Sequence, residues 1–414
     1  MKKKIAASYK FHIFIFISYM TLGLLLDGPR EIILGLNKII EDSAILITDY
    51  VAIAGIGPTL VNAGLLSLMI TFFYIIFDIK PNGAIIASLW LVFGFSFFGK
   101  NIFNVWSIIL GVYLYSRYKR EPFNNYILIA VLGTTLAPTV SQIVFHGILP
   151  PMVSLVLGNG FGILIGFMLP PIAVSTVNVH YGYNLYNMGF AGGLLGMILV
   201  SVYKIFNVDL ETRFLWSTSN NTFFAILLYT TFIIIIIYGY FNSDNRLENL
   251  KKVISHSGRL NSDFYNLYLE ASFMNIGLLG ILGVSVVLLL GGDLNGPTIS
   301  GIFTLAGFGT FGKHLINVIP VMVGASLTAY LCIWELKSPS MILSILFSTG
   351  LAPISGEFGW PFGILAGFLH GAVVMNVGSV NAGMNLYNNG FSAGFVAMVL
   401  VPIIRSFKIG RGHY

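Results

Sequence analysis

Residues 182–193 read Gly-Tyr-Asn-Leu-Tyr-Asn-Met-Gly-Phe-Ala-Gly-Gly, and residues 383–394 read Gly-Met-Asn-Leu-Tyr-Asn-Asn-Gly-Phe-Ser-Ala-Gly. A block so rich in Asn, Tyr and Gly, set twice into apolar sequence, marks a duplication, and any fold must accommodate two equivalent units. The match extends upstream. Phe161 to Phe167 pairs with Phe362 to Phe368 at the offset of 201 that separates Asn184 from Asn385. Phe98-Gly99-Lys100 pairs with Phe311-Gly312-Lys313, and Asn62 with Asn275, at an offset of 213. Leu136-Ala137-Pro138 pairs with Leu351-Ala352-Pro353 at 215, so the fall from 215 to 201 is a 14-residue insertion in the first copy, around 146–160. The copies run from about 53 to 206 and from 267 to 408. Residues 1–52 form a membrane helix and outer loop, 207–266 a linking membrane helix and basic loop, and 409–414 a tail.

Hydrophobic residues make up 56% of the chain and charged residues 9%. Apolar runs repeatedly reach the roughly 20 residues that a helix needs to cross a hydrocarbon core. The expected fold is all-α and polytopic, with about 10–12 transmembrane segments. The longest polar stretch, 242–263, is too short for a core of its own, and the alternating segments of a β-barrel are absent. A single cysteine, Cys332, excludes an intramolecular disulfide, and the seven histidines lack zinc-ligand spacing, so no metal or cofactor is expected. The net charge of +6 is spread over loops. It reads as a topology signal rather than a nucleic-acid surface.

Four lysines precede an apolar run from Phe11 to Leu26 that Asp27-Gly28-Pro29-Arg30 closes, giving a first helix with its N-terminus inside. Ala84 to Ser116 is interrupted at Phe98-Gly99-Lys100. At about 1.5 Å per residue each arm covers little more than 20 Å, so the segment is two short helices or a re-entrant hairpin. The linking segment Phe223 to Phe241 has no counterpart in the repeat, and it exits into Arg246, Lys251, Lys252 and Arg259. The second copy therefore starts on the side opposite to the first, and the chain ends inside at Arg405, Lys408 and Arg411. Inverted repeats are an architecture of secondary transporters and channels, with the solute path at the repeat interface.

The candidate path residues follow from the repeat. Asn184 and Asn187, with Asn385 and Asn388, lie at i,i+3 spacing beside Tyr186 and Tyr387. Their amides can bind a polar solute or cap helix starts. Lys100 and Lys313, each followed by Asn104 or Asn317, are anion contacts if buried and snorkelling surface lysines if not. Pro138 and Pro353 break helices next to Thr134, Thr135, Thr139, Ser141 and Gln142 in one copy and Ser348, Thr349, Ser355 and Glu357 in the other. Glu357, if buried, is a candidate proton or cation carrier. His146, His180, His314 and His370 read as packing groups. Trp90, Trp106, Trp216, Trp334 and Trp360 read as membrane-interface anchors.

On its FGK-x3-N and GxNLYNxGFxxG blocks, the chain resembles an uncharacterised bacterial family of multi-pass proteins defined by a tandem-repeated domain of unknown function. More remotely, Gly182-Tyr183-Asn184 followed by a Gly-rich helix is similar to a Gly-Tyr-Asn-Gly segment of bacterial urea transporters, which are duplicated, inverted and trimeric. The second copy reads Gly383-Met384-Asn385. The expectation is a transporter or channel in the bacterial cytoplasmic membrane for a small polar solute, a urea-like amide or small carboxylate, and not an enzyme. It would work in the lipid bilayer as a homo-oligomer, trimer or dimer. The rivals are a membrane-embedded enzyme acting on lipid and a non-transporting scaffold.

Overall fold

A computed structural model describes residues 6–145, 147, 149–205, 213–242, 246–259, 262–331, 334–377 and 380–409. Lys2 to Lys4, His146, Cys332 and Arg411, which entered the sequence reading, lie outside the described residues. Ten helices among the described residues are long and apolar enough to cross a membrane, and two shorter apolar helices accompany them. The chain is a polytopic, all-α membrane protein.

Helix α1 (Ala7–Glu41) starts at what is here termed the first face. The loop expected from Asp27 onward is helical as far as Glu41. Gly28, at φ 71° ahead of Pro29, kinks the helix instead of ending it, and Asp27 Oδ2 accepts a 2.8 Å bond from Gly57 N. Helix α2 (Ile56–Ile76) returns antiparallel: Gly57 lies against Gly23, Gly64 against Phe16, and Tyr9 Oη donates to Ile79 O at 2.9 Å. Small residues let the two backbones approach where lipid offers no hydrophobic drive to association.

Helices α3 (Gly83–Phe95) and α4 (Trp106–Lys119) then form a helical hairpin. Both of its ends lie at the first face, because beyond α4 the Phe123 ring packs on Phe77 at 5.2 Å and Asn124 Nδ2 donates to Phe77 O at 3.1 Å. Its tip reaches the chain at the far end of α1, where Asn101 Nδ2 donates to Ile39 O at 3.1 Å and Tyr50 N bonds Phe97 O at 3.2 Å, so the run is two short helices that turn back near the second face. Helices α5 (Ile127–Gly133) and α6 (Ala137–Phe145), joined by a 3-10 turn at Thr134–Leu136, cross to the second face. Helix α7 (Pro151–Val179) comes back, and α8 (Asn187–Ile205) crosses again.

The second half repeats this order: α9 (Asn221–Phe241), α10 (Leu269–Leu289), the hairpin α11 (Gly296–Gly307) and α12 (Leu315–Leu331), α13 (Pro339–Ser348) with α14 (Ala352–Phe358), α15 (Trp360–Val377) and α16 (Asn388–Ile409). Gly277 of α10 lies against Phe232 of α9 as Gly64 lies against Phe16. Helix α9, read from sequence as an unrepeated linker, therefore stands where α1 stands in the first half. The structural unit is one helix longer than the sequence repeat. Each half has five spans, an odd number, so the halves are inverted. The insertion around 146–160 adds turns to the start of α7, which has 29 residues against 18 in α15.

The halves meet across a pseudo-two-fold axis between α3 and α11, and between α8 and α16. Trp90 and Phe303, matching positions, stack across it at 5.4 Å with 5° between planes. Trp90 is fully buried. The reading of this tryptophan as a membrane-interface anchor is corrected, since only Trp360 of the five is exposed. Gly189 and Gly390 oppose each other at the starts of α8 and α16, where a Cβ on either would meet the other's Cα at about 3 Å.

Candidate functional site

The two hairpin tips and the two Asn-Tyr blocks build the centre. Gly99 and Gly312, each at φ 85°, turn the chain after α3 and α11, a conformation glycine adopts without a Cβ penalty. Each tip is tied down by a pair of asparagines. Asn62 Nδ2 donates to Ser96 O and Lys100 O, and Asn275 Nδ2 to the matching Gly309 O and Lys313 O. Asn104 Nδ2 donates to Gly99 O and Ser141 Oγ, and Asn317 Nδ2 to Gly312 O. Asn104 and Asn317 therefore hold backbone and line none of the cavities described below.

Each block reaches into the opposite half. Asn184 Nδ2 donates to Gly390 O and Asn385 Nδ2 to Gly189 O, both at 3.0 Å. Leu185 N bonds Gly350 O and Leu386 N bonds Thr135 O, both at 2.9 Å. Thr135 Oγ1 adds a bond to Asn385 Oδ1 at 2.7 Å. The backbone that unwinds ahead of α8 and α16 thus finds its partners across the axis. Asn187 accepts from Thr176 and pairs with His180, and Asn388 accepts from Asn381.

Lys100 and Lys313 are both fully buried. Lys100 Nζ donates to Tyr387 Oη at 2.5 Å and lies 4.7 Å from that ring and 5.7 Å from Phe95. Lys313 Nζ donates to Tyr186 Oη, and to Thr349 Oγ1 at 2.9 Å, and lies 4.3 Å from the Tyr186 ring and 5.0 Å from Phe308. Each lysine of one half is thereby held by the tyrosine of the other. Among the described residues no carboxylate lies within ion-pair distance of either ammonium. A ring face contributes about 0.5–2 kcal/mol to holding a cation, whereas an uncompensated buried charge costs several. The ring and hydroxyl contacts offset part of that cost.

Three cavities adjoin one another through shared lining residues. A vestibule of about 270 Å³ opens from the first face between α3, α5 and α7, with Asn184, Asn187 and His180 on its wall. Its counterpart of about 390 Å³ opens from the second face with Asn388, Asn389 and Arg213. The walls match: Phe311 answers Phe98, Leu128 answers Leu343, and Val174 answers Met375. Between them a central cavity of about 20 Å³ is bounded by Tyr186, Tyr387, Gly189, Gly390, Phe95 and Thr304, room for about one water. Leu132, Leu185, Met188 and Phe308 divide it from the first vestibule, and Phe347 from the second. Thr304 Oγ1, buried on this wall, has no hydrogen-bond partner among the described residues.

Pro138 and Pro353 each sit in the first turn after a 3-10 turn, where a missing N–H costs nothing, and neither lines a cavity. Asn385 lines none either. Glu357 is exposed at the first face, accepting from Tyr183 Oη, with Arg259 3.8 Å away and the Arg259 guanidinium 4.5 Å over the Tyr183 ring. It stands apart from the three cavities. Phe95, Phe308 and Thr304 were not singled out from sequence, although Phe95 and Phe308 follow the matched Gly94 and Gly307.

The chain belongs to the family described as Protein of unknown function (DUF1576), matched over residues 28–205 and 242–406. No curated protein and no solved structure matches it, so the similarity to urea transporters read from Gly182-Tyr183-Asn184 and the Gly-rich helix after it is not shown.

Proposed function

We propose that the protein is a membrane transporter that moves a small polar solute from one vestibule through the central cavity to the other. The observation that carries this reading is the symmetric series itself: two matching vestibules on opposite faces, with a small, largely apolar cavity closed between them that Tyr186, Tyr387 and Thr304 border. Inverted halves make the two closures equivalent, so opening one while the other stays shut is a change of similar energy in either direction. The Lys100–Tyr387 and Lys313–Tyr186 contacts bridge the halves beside each closure and are the natural moving parts.

The first face carries Arg117, Lys119, Arg120, Lys251, Lys252 and Arg405 at helix ends. By the positive-inside rule it is the cytoplasmic face of a bacterial inner membrane, with both termini there. The test is flux into proteoliposomes by stopped-flow for formamide, urea, formate and chloride, using Thr304→Phe to fill the central cavity. At least one solute should enter more than about tenfold faster than into empty liposomes, and the filled variant should lose that flux. Folded protein that moves none of them above the empty-liposome rate would remove the reading.

A further inference from the structure

Two fully buried lysines, which line none of the three cavities themselves, hold the two tyrosines that line the central one, and among the described residues no carboxylate lies within ion-pair distance of either. We propose that the solute is a small monoanion, which supplies the counter-charge to Lys100 and Lys313 in turn as it crosses. This deepens the transport reading and rests on it for the route, though not for the binding.

The donors are placed for such a ligand. Tyr186 and Tyr387 each accept from a lysine and line the central cavity; the Tyr387 hydroxyl proton remains to be directed elsewhere, whereas that of Tyr186 has Thr349 Oγ1 as acceptor, the Thr349 proton going to Leu346 O. Tyr186 Oη also lies 3.3 Å from Thr349 Oγ1. Thr304 Oγ1 adds a hydroxyl, unpartnered among the described residues, on the same wall. A hydroxyl donates to an anion without charge of its own, and the adjacent ammonium supplies the sign. Among the described residues neither vestibule is lined by a carboxylate. The first offers His180 and amides, and the second offers Arg213, which is paired with Asp42 at 2.5 Å. The Asp42 carboxylate beside the second vestibule is held by Arg213, and the two buried lysines stand behind the tyrosines of the centre. A cavity that now holds about 20 Å³ must widen for any solute larger than water, which limits the class to halide-sized or one-carbon anions.

Each lysine is bonded to the half it does not belong to. Drawing Lys100 from Tyr387 onto an anion loosens the contact between the first hairpin and the second Asn-Tyr block. Drawing Lys313 from Tyr186 does the same on the other side. The ligand that satisfies one ammonium therefore releases one closure, and the differential contact needed to couple binding to opening is present in the chain.

Formate and formamide have nearly the same shape and differ in charge, so they separate charge from size. Flux of both into proteoliposomes, with potassium and valinomycin clamping the potential, is paired with thermal unfolding of the detergent-solubilised protein in sodium formate, in sodium chloride and in formamide. The expected result is formate or chloride flux at least about tenfold above formamide flux. Lys100→Met and Lys313→Met should each lower anion flux at least about tenfold while keeping a cooperative unfolding transition. The anion-dependent rise in Tm should shrink in each and vanish in the double variant. Equal formamide and formate flux, untouched in both methionine variants, overturns the anion assignment and leaves the path standing. Absent flux with an anion-dependent Tm rise that the double variant loses removes transport and keeps the anion site. No flux and no Tm rise removes both.

Discussion

At the residue scale the repeated asparagines are not equivalent, because the environments around them have diverged. Asn385 accepts from Thr135 Oγ1 at 2.7 Å and from Tyr387 N at 3.2 Å, and donates to Gly189 O. Asn184 donates to Gly390 O and accepts from Tyr186 N, and the residue matching Thr135 is Gly350, which has no hydroxyl to add. Asn385→Ala takes the acceptor from the buried Thr135 hydroxyl, which keeps only the bond it accepts from Tyr387 N at 3.0 Å, and removes a second donor to Gly189 O, at a cost of about 1–3 kcal/mol. Asn184→Ala should cost about half as much. Thermal unfolding in one detergent would show Asn385→Ala with the larger fall in Tm, and equal falls would mean that the Thr135 bond contributes nothing. Asn187→Ala, on a vestibule wall, should perturb stability less than either. The sequence presented the four amides as one class because i,i+3 spacing places them on a common face and is silent on which carbonyl each will meet.

At the element scale, the starts of α3 and α11 are capped by their own asparagines, Asn82 and Asn295, and also by an aspartate from the other half. Asp263 Oδ1 accepts from Gly83 N at 3.0 Å, and Asp49 Oδ1 accepts from Gly296 N at 3.1 Å. Each hairpin is thus anchored by a carboxylate at its positive end, the position where an anion is favoured. Asp49 is fully buried and also accepts from Ser217 N and Ser217 Oγ, whereas Asp263 is half-buried. Asp49→Ala should therefore cost about 2–3 kcal/mol and Asp263→Ala about 1 kcal/mol, from the orphaned donors each leaves. Hydrogen exchange should quicken in the first turn of α11 in the former and of α3 in the latter. Exchange that quickens only in the helix nearest in sequence to the mutated residue would refute the crossed capping. The hairpins were legible in sequence because Gly-Lys interruptions recur. The kinship of α1 and α9 was not. Both run along the outside of the bundle, where lipid demands apolarity and no particular side chain, so the two sequences are free to drift apart. Trp90 was misplaced for the complementary reason: a tryptophan between apolar residues has the same pattern in a membrane belt and in a stacked pair on a symmetry axis.

For the whole molecule, inversion was argued from the parity of helices and from basic loops, and the structure carries it on independent grounds: contacts recur across the axis with the two halves exchanged. Val174 and Met375 occupy one position in the two halves and line the first and the second vestibule. In a Cys332→Ser background, Val174→Cys should react with a membrane-impermeant maleimide only from the side that bears the basic helix ends, and Met375→Cys only from the other. Sealed right-side-out vesicles should therefore label Met375→Cys and spare Val174→Cys, and inverted vesicles should do the reverse. Labelling of both from one side would mean that the vestibules share a face, and no path across the membrane could then connect them. The opposite polarity for both would keep the inverted fold and reverse only the assignment of the first face to the cytoplasm, because the contacts that relate the halves hold whichever way the molecule sits in its membrane.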